Sequence, residues 1–219
     1  MLQVLSTEHF SLLSQRGLVY NEAFTRVGMF LTFVSMSFVA LALLSNALPS
    51  ANDLVIIAAI VLGIDLIVAL ATVIRVANAY GEDFVAVQAM NRVRRGYAEL
   101  APEAMPYIST GTYDDVAGVV TSYGTPVAPS STLSGLLYGF STSIGLLVIV
   151  AAILAGALVS VLALAAGAGG VFSLLLGALA VLLFMVGLAG IGIRGQVRSQ
   201  ASIVIRFPPP PEGSGSVQG

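Results

Sequence analysis

The chain has 219 residues, of which 57% are hydrophobic and 9% charged, with a net charge of -2 and a mean hydropathy of +0.96. Soluble domains carry about 25% charged residues, so this inventory cannot cover a water-facing surface and points to a membrane protein. The charge balance gives no electrostatic case for nucleic acid as a partner, and the absence of cysteine excludes disulfides, thiolate catalysis and cysteine-ligated metals.

In chain order, residues 1–25 read as a cytoplasmic segment. Phe10, Leu13, Tyr20 and Phe24 fall on helical spacing after a capping Thr7, so the segment is either an interfacial helix or an extension of the first span. His9, the single histidine, has no second metal ligand at a suitable spacing and reads as a surface residue. Residues 26–77 read as a first transmembrane hairpin with apolar runs at 27–48 and 54–77, each long enough for the roughly 20 residues that cross a bilayer. The turn "LPSAND" separates them, with a helix start at Asn52 or Asp53. The polar stretch before the first run contains Glu8 and Glu22 and argues against a cleaved signal peptide.

Residues 78–132 read as a cytoplasmic loop. Phe84, Val87, Met90, Tyr97 and Leu100 form one helical stripe, which predicts that the second span continues into an amphipathic helix, with a bend near Gly81, ending at Pro102. Arg92, Arg94 and Arg95 in "NRVRR" are candidates for contact with anionic lipid or a partner, against a solvated, topology-setting helix face. Residues 133–193 read as a second hairpin, with spans at about 134–164 and 171–193 and "AGAGG" (166–170) as the turn. Gly135, Gly139 and Ser143 make a small-residue ridge for close helix packing, echoed by Ser173, Gly177, Gly187, Gly190 and Gly192. Residues 194–219 read as a cytoplasmic tail, disordered from about 207, with a proline run and a Gly/Ser end.

The expectation is therefore an all-α, four-span membrane protein in two hairpins. All nine basic residues are arginines, and none lies in the two tight loops, so both termini and the central loop are expected to face the cytoplasm.

Asp65 stands out, about 11 residues into the second run and roughly 16 Å deep. An intramembrane carboxylate is a functional-site hypothesis that requires a partner. No arginine is close enough in sequence. Thr32, Ser35 and Ser37 on the first span offer hydroxyls at similar depth. Asp65 then reads as protonated glue between two spans, with a proton or cation site as the alternative. No P-loop, GxSxG or HExxH pattern occurs, and the acidic pairs in "GEDF" and "YDD" lack metal-ligand spacing. No catalytic residue, metal or cofactor is expected.

The segment "AMNRVRRGYAELAPEAMPY" (89–107), together with "SLLSQRGLVYNEAFTRVGMF" (11–30), resembles a family of uncharacterised bacterial, actinobacterial-type, multi-span integral membrane proteins. The resemblance covers roughly the first half of the chain, implies a bacterial plasma membrane and brings no activity with it. The first hairpin with its cytoplasmic helix also resembles, in architecture, two-span membrane effector domains proposed to form pores. The leading expectation is a non-enzymatic scaffold or regulatory protein. Its expected partners are the lipid bilayer and a second copy or another protein. A small channel, transporter or pore subunit using Asp65 is the alternative.

Overall fold

A computed structural model describes residues 1–124, 142–201 and 204–209, with side chains in the last turns of the final helix (193 and 195–201) left out. Among the described residues every regular element is helical: α1 Leu2–Ala47, α2 Ala51–Leu100, a 3₁₀ segment Pro102–Tyr107, α3 Val116–Ser122, α4 Ser143–Ala165 and α5 Gly170–Ala201. Four of these helices, α1, α2, α4 and α5, are long and apolar enough to cross a membrane, the composition of a multi-pass membrane protein.

Of the two readings of residues 1–25 the structure has the extension of the first span, and the second span continues as expected. The first 25 residues are the opening turns of α1, which runs 46 residues without a break. Likewise α2 runs 50 residues through Gly81, whose added Cβ would meet open space, and no turn interrupts it there. At 1.5 Å per residue these helices are about 70–75 Å long, more than twice what the roughly 30 Å hydrocarbon layer needs. The start of α2 at Ala51 lies one or two residues before the expected Asn52 or Asp53. At its other end, α2 stops at Leu100 because Ala101 precedes a proline, which disfavours helical backbone for the residue before it.

The chain forms two compact units, one of Met1–Asn21, Ala79–Thr132 and Gln196–Gly219, the other of Glu22–Asn78 and Leu133–Gly195. In the second unit, Phe30 and Val34 of α1, Leu62, Ala69, Val73 and Val76 of α2, and Leu147, Ala151 and Leu154 of α4 make one buried apolar cluster. Polar contacts between α1 and α2 here run in opposite directions along the two helices: Glu22 meets Arg75 (2.7 Å) and Ser37 meets Asp65 (2.9 Å).

Thr142 caps α4 by accepting from the Gly145 N–H at 3.1 Å. The 166–170 turn ends that helix with a Schellman closure, in which Ala168 N–H donates to Ala163 O and Gly167 N–H to Leu164 O, both at 3.0 Å. Gly167 has φ +83°, a left-handed conformation that an L side chain strains to adopt. The final helix then continues past 193 to Ala201. Of the small-residue ridge, Gly135 and Gly139 lie outside the described residues, and Ser143 is the first residue of α4.

In the first unit, Leu12 of α1 packs on Met90 and Val93 of α2, with Leu5, Ala89 and Tyr97 around them. Val87 and Met90 of the expected stripe are buried, while Leu100 is 45% exposed. Asp83, Gln88 and Asn91 are buried as deeply as the apolar positions. This part of α2 is therefore covered on more than one stripe, and polar groups form much of what is covered.

Candidate functional site

Buried polar groups need partners, because an unpaired one gives up water and gains nothing in return. Asking where each buried carboxylate finds its donors separates three sites.

Asp65 on α2 is 1% exposed, and its Oδ1 accepts the Ser37 hydroxyl at 2.9 Å. The other two hydroxyls expected there bond back to their own helix, Thr32 to Gly28 O at 2.9 Å and Ser35 to Leu31 O at 2.8 Å. A mid-helix Ser or Thr has a carbonyl four residues back within reach, and these two take that local option. Asp65 Oδ2 is buried and, among the described residues, has no hydrogen-bond partner. This carboxyl is therefore half satisfied, by one hydroxyl from one neighbouring helix.

Asp83 on α2 has no such deficit. Its Oδ1 accepts Arg16 Nε at 2.5 Å, and its Oδ2 accepts Tyr123 Oη at 2.6 Å, Tyr20 Oη at 2.9 Å and Arg16 Nη2 at 3.3 Å. The Arg16 guanidinium also lies 5.9 Å from the centre of the Tyr123 ring. Burial opposes the charge on Asp83, but the Arg16 guanidinium and the two phenol hydroxyls outweigh it and hold the carboxyl below its ordinary range. The same environment pushes the Tyr20 phenol up to about 12, through burial first and the adjacent carboxylate second. Chemically this is a clamp. One carboxylate joins α1, α2 and the residue just after α3.

Asp114 lies between the 3₁₀ segment and α3 and is fully buried. It accepts Arg92 Nε at 2.7 Å and two successive main-chain N–H groups, Arg206 at 2.9 Å and Phe207 at 2.8 Å. Here too burial works against the charge, and the Arg206 N–H, Arg92 and the Phe207 N–H prevail and keep the carboxyl low. Gln88 donates to Asp114 O at 2.8 Å and Asn91 to Tyr113 O at 2.8 Å, fixing the main chain on either side.

The three arginines of "NRVRR" are each engaged within the chain while staying partly exposed. Arg92, its side chain 27% exposed, pairs with the fully buried Asp114. Arg94 donates to Asn91 Oδ1 at 2.8 Å. Arg95 pairs with Glu99 at 2.9 Å one turn on and sits 6.0 Å from the Tyr113 ring centre. His9 is half-buried, with Nδ1 lacking a partner among the described residues and its ring 6.3 Å from that of Tyr97. It is not the plain surface residue expected.

Sequence reasoning treated Asp83 and Asp114 only as parts of acidic pairs without metal spacing, and Arg16 only as a topology signal. A signal was present for Asp83: it stands four residues before Val87 and seven before Met90, on the apolar face itself. Nothing local marks Asp114, whose donors come from 22, 92 and 93 residues away.

A pH test follows from the two clamps. Their carboxyls bind protons less readily when folded than in an unfolded chain, where the ordinary value is about 3.9. The stability they lend is therefore complete above that value and is lost as pH falls through the lower folded values. The near-ultraviolet circular dichroism of the tyrosines in detergent is expected to hold from pH 7 to about 4 and to collapse below. A transition at pH 5–6 would refute the depressed values.

Comparison with protein-family models, with curated proteins and with solved structures finds no match.

Proposed function

We propose that this is a non-enzymatic scaffold or regulatory protein of a bacterial plasma membrane. Its four spans form two hairpins, with both termini and the central segment in the cytoplasm. The observation that carries the reading is that Asp83 and Asp114 give their acceptors to donors from distant parts of the same chain, so the carboxylates hold a body together. A catalytic carboxylate needs an acceptor or proton available to substrate, and these two have theirs committed.

The orientation rests on arginine placement: Arg16, Arg26, Arg75, Arg92, Arg94, Arg95, Arg194, Arg198 and Arg206 all flank the cytoplasmic ends of the spans. The amphipathic end of α2 supplies the partner-facing surface. With Arg92 committed to Asp114, that surface carries Arg95, Glu99 and Leu100 of α2 and, on the 3₁₀ segment that follows, Tyr107, 88% exposed. Bilayer lipid and a protein partner, a second copy included, are the expected companions.

One observation favours a second reading, a small channel, transporter or pore subunit: the partnerless Oδ2 of buried Asp65. Against it, a relay needs a second group to pass the proton on, and among the described residues the hydroxyl of Ser37 is the one hydrogen-bond partner of the Asp65 side chain.

The discriminating measurement is proton and potassium flux in proteoliposomes at matched incorporation. Flux at the empty-liposome level is expected for wild type and for Asp65→Asn, which keeps an acceptor for Ser37 and should alter stability by no more than about 1 kcal/mol. Wild-type flux that disappears in Asp65→Asn would replace the scaffold reading with the transport one.

A further inference from the structure

The contacts that hold the C-terminal segment go to its main chain. Arg92 Nη2 donates to Val204 O at 2.7 Å, and Gln88 Nε2 reaches the same oxygen at 3.5 Å. Asp114 accepts the Arg206 and Phe207 N–H groups and returns its own N–H to Phe207 O at 3.4 Å. Residues 204–209 are all exposed, with Val204 at 67% and Phe207 at 37%. A grip that takes carbonyl, N–H, N–H and carbonyl reads peptide backbone, the two successive N–H groups closing on one anion as a main-chain nest does. Pro208 follows at once, and having no N–H it ends the register.

We infer that Gln88, Arg92 and Asp114 form a peptide-backbone binding site of which Val204–Phe207 is the resident, exchangeable ligand. Its ligand class is a peptide bent so that two successive main-chain N–H groups, lying between two carbonyls, converge on one carboxylate. The preformed half of the site is rigid. Gln88 and Arg92 sit one turn apart on α2, and Asp114 is fixed from both sides by Gln88 and Asn91. The resident half is partly covered but belongs to neither buried apolar cluster, so its departure opens neither of them. Tethering gives the resident an effective concentration that a free peptide cannot match, which keeps the site closed in the intact chain. The inference concerns one site on the proposed scaffold body. A scaffold without an exchangeable ligand would fail the test below and leave the flux result unaltered.

The test uses full-length protein in detergent. The chain has no cysteine, so Pro209→Cys carries a single nitroxide that reports whether the segment is held. The double substitution Arg206→Pro, Phe207→Pro removes both N–H groups that reach Asp114 and changes only exposed positions. The probe is a fluorescent peptide of the wild-type 204–209 sequence.

Wild type is expected to show an immobilised label and little peptide binding. The double proline variant is expected to show a mobile label and saturable peptide binding at least about tenfold stronger, the scale set by losing charge-assisted hydrogen bonds. Adding Asp114→Asn to that variant should remove the gain. A label that stays immobilised in the proline variant overturns the backbone grip. A mobile label without peptide binding overturns the exchangeable site, as does binding that survives Asp114→Asn.

Discussion

Replacing Asp83 with alanine is expected to destabilise the first unit by about 3–5 kcal/mol, the range for removing one partner from a buried ion pair, out of the 5–15 kcal/mol that domains typically have. The size follows from what is stranded. Arg16 keeps its charge with a side chain 23% exposed, and the Tyr20 and Tyr123 hydroxyls lose the acceptor they share. At about 2–4 °C per kcal/mol for a chain of this length, the thermal transition should fall by roughly 6–20 °C. Cleavage by a protease should appear first within 108–124, the stretch that Tyr123 fastens to Asp83.

Asp83→Asn should be milder, since it keeps shape and an acceptor. Arg16→Met combined with Asp83→Leu should be milder than Asp83→Ala, because no charge is left buried. That comparison is the informative one. If Asp83→Ala matched wild type, the cluster would be a surface ion pair of negligible worth, and the scaffold reading would lose its main support.

How much of this could be read beforehand depended on the range of the interaction. Spanning segments are a property of about 20 consecutive residues, and hydropathy found all four. The 166–170 turn is also local, and Gly167 with its positive φ sits inside it. Ser37 was one of three hydroxyls at the right depth for Asp65. Choosing among them required the rotation of α1 about its axis, which a nearly uniform apolar helix does not encode.

The continuity of α2 to Leu100 was expected and that of α1 was one of two readings, and neither could be fixed from composition alone. Each helix changes from lipid-like to mixed composition midway, and a change of composition resembles a boundary although the backbone continues. Long-range polar pairing left the least trace. Asp83 draws on residues 16, 20 and 123, and Asp114 on 92, 206 and 207, so each cluster exists only once the chain has folded.

Gly156→Ala is expected to weaken the α4–α5 pair by about 1–3 kcal/mol, the usual cost of overpacking, and Gly156→Leu by more. A Cβ on Gly156 would lie 2.7 Å from Gly177 O, and a Cβ on Gly177 would lie 2.7 Å from Gly156 O. Each Cβ would also run into a side-chain atom, Val181 Cγ2 or Ser160 Oγ; those can turn aside, but the backbone oxygens cannot. The sequence offered Ser173 and Gly177 as a ridge. Its counterpart is Ala152, Gly156 and Ser160 on α4, one more instance of small residues four apart.

Alanine is the better helix former by about 1 kcal/mol, which would mask the loss in a soluble protein. Within a bilayer each segment stays helical whether or not it is docked, because its main-chain groups have no other partners. The propensity gain is thus common to both states and drops out, leaving the steric cost alone. No hydrophobic drive compensates, since lipid tails are as apolar as the partner helix.

Gly187→Ala on α5 is the control. Nothing lies within 4 Å of its added Cβ, and its transition should match wild type within the 0.5 kcal/mol typical of such sites. Combining Gly156→Ala with Gly177→Ala should cost less than the sum of the two. Once the first methyl has pushed the backbones apart, the second enters a gap already open, and neighbouring sites that share one displacement are not additive. Full additivity, or no loss in either single variant, would mean that α4 and α5 do not meet at these glycines.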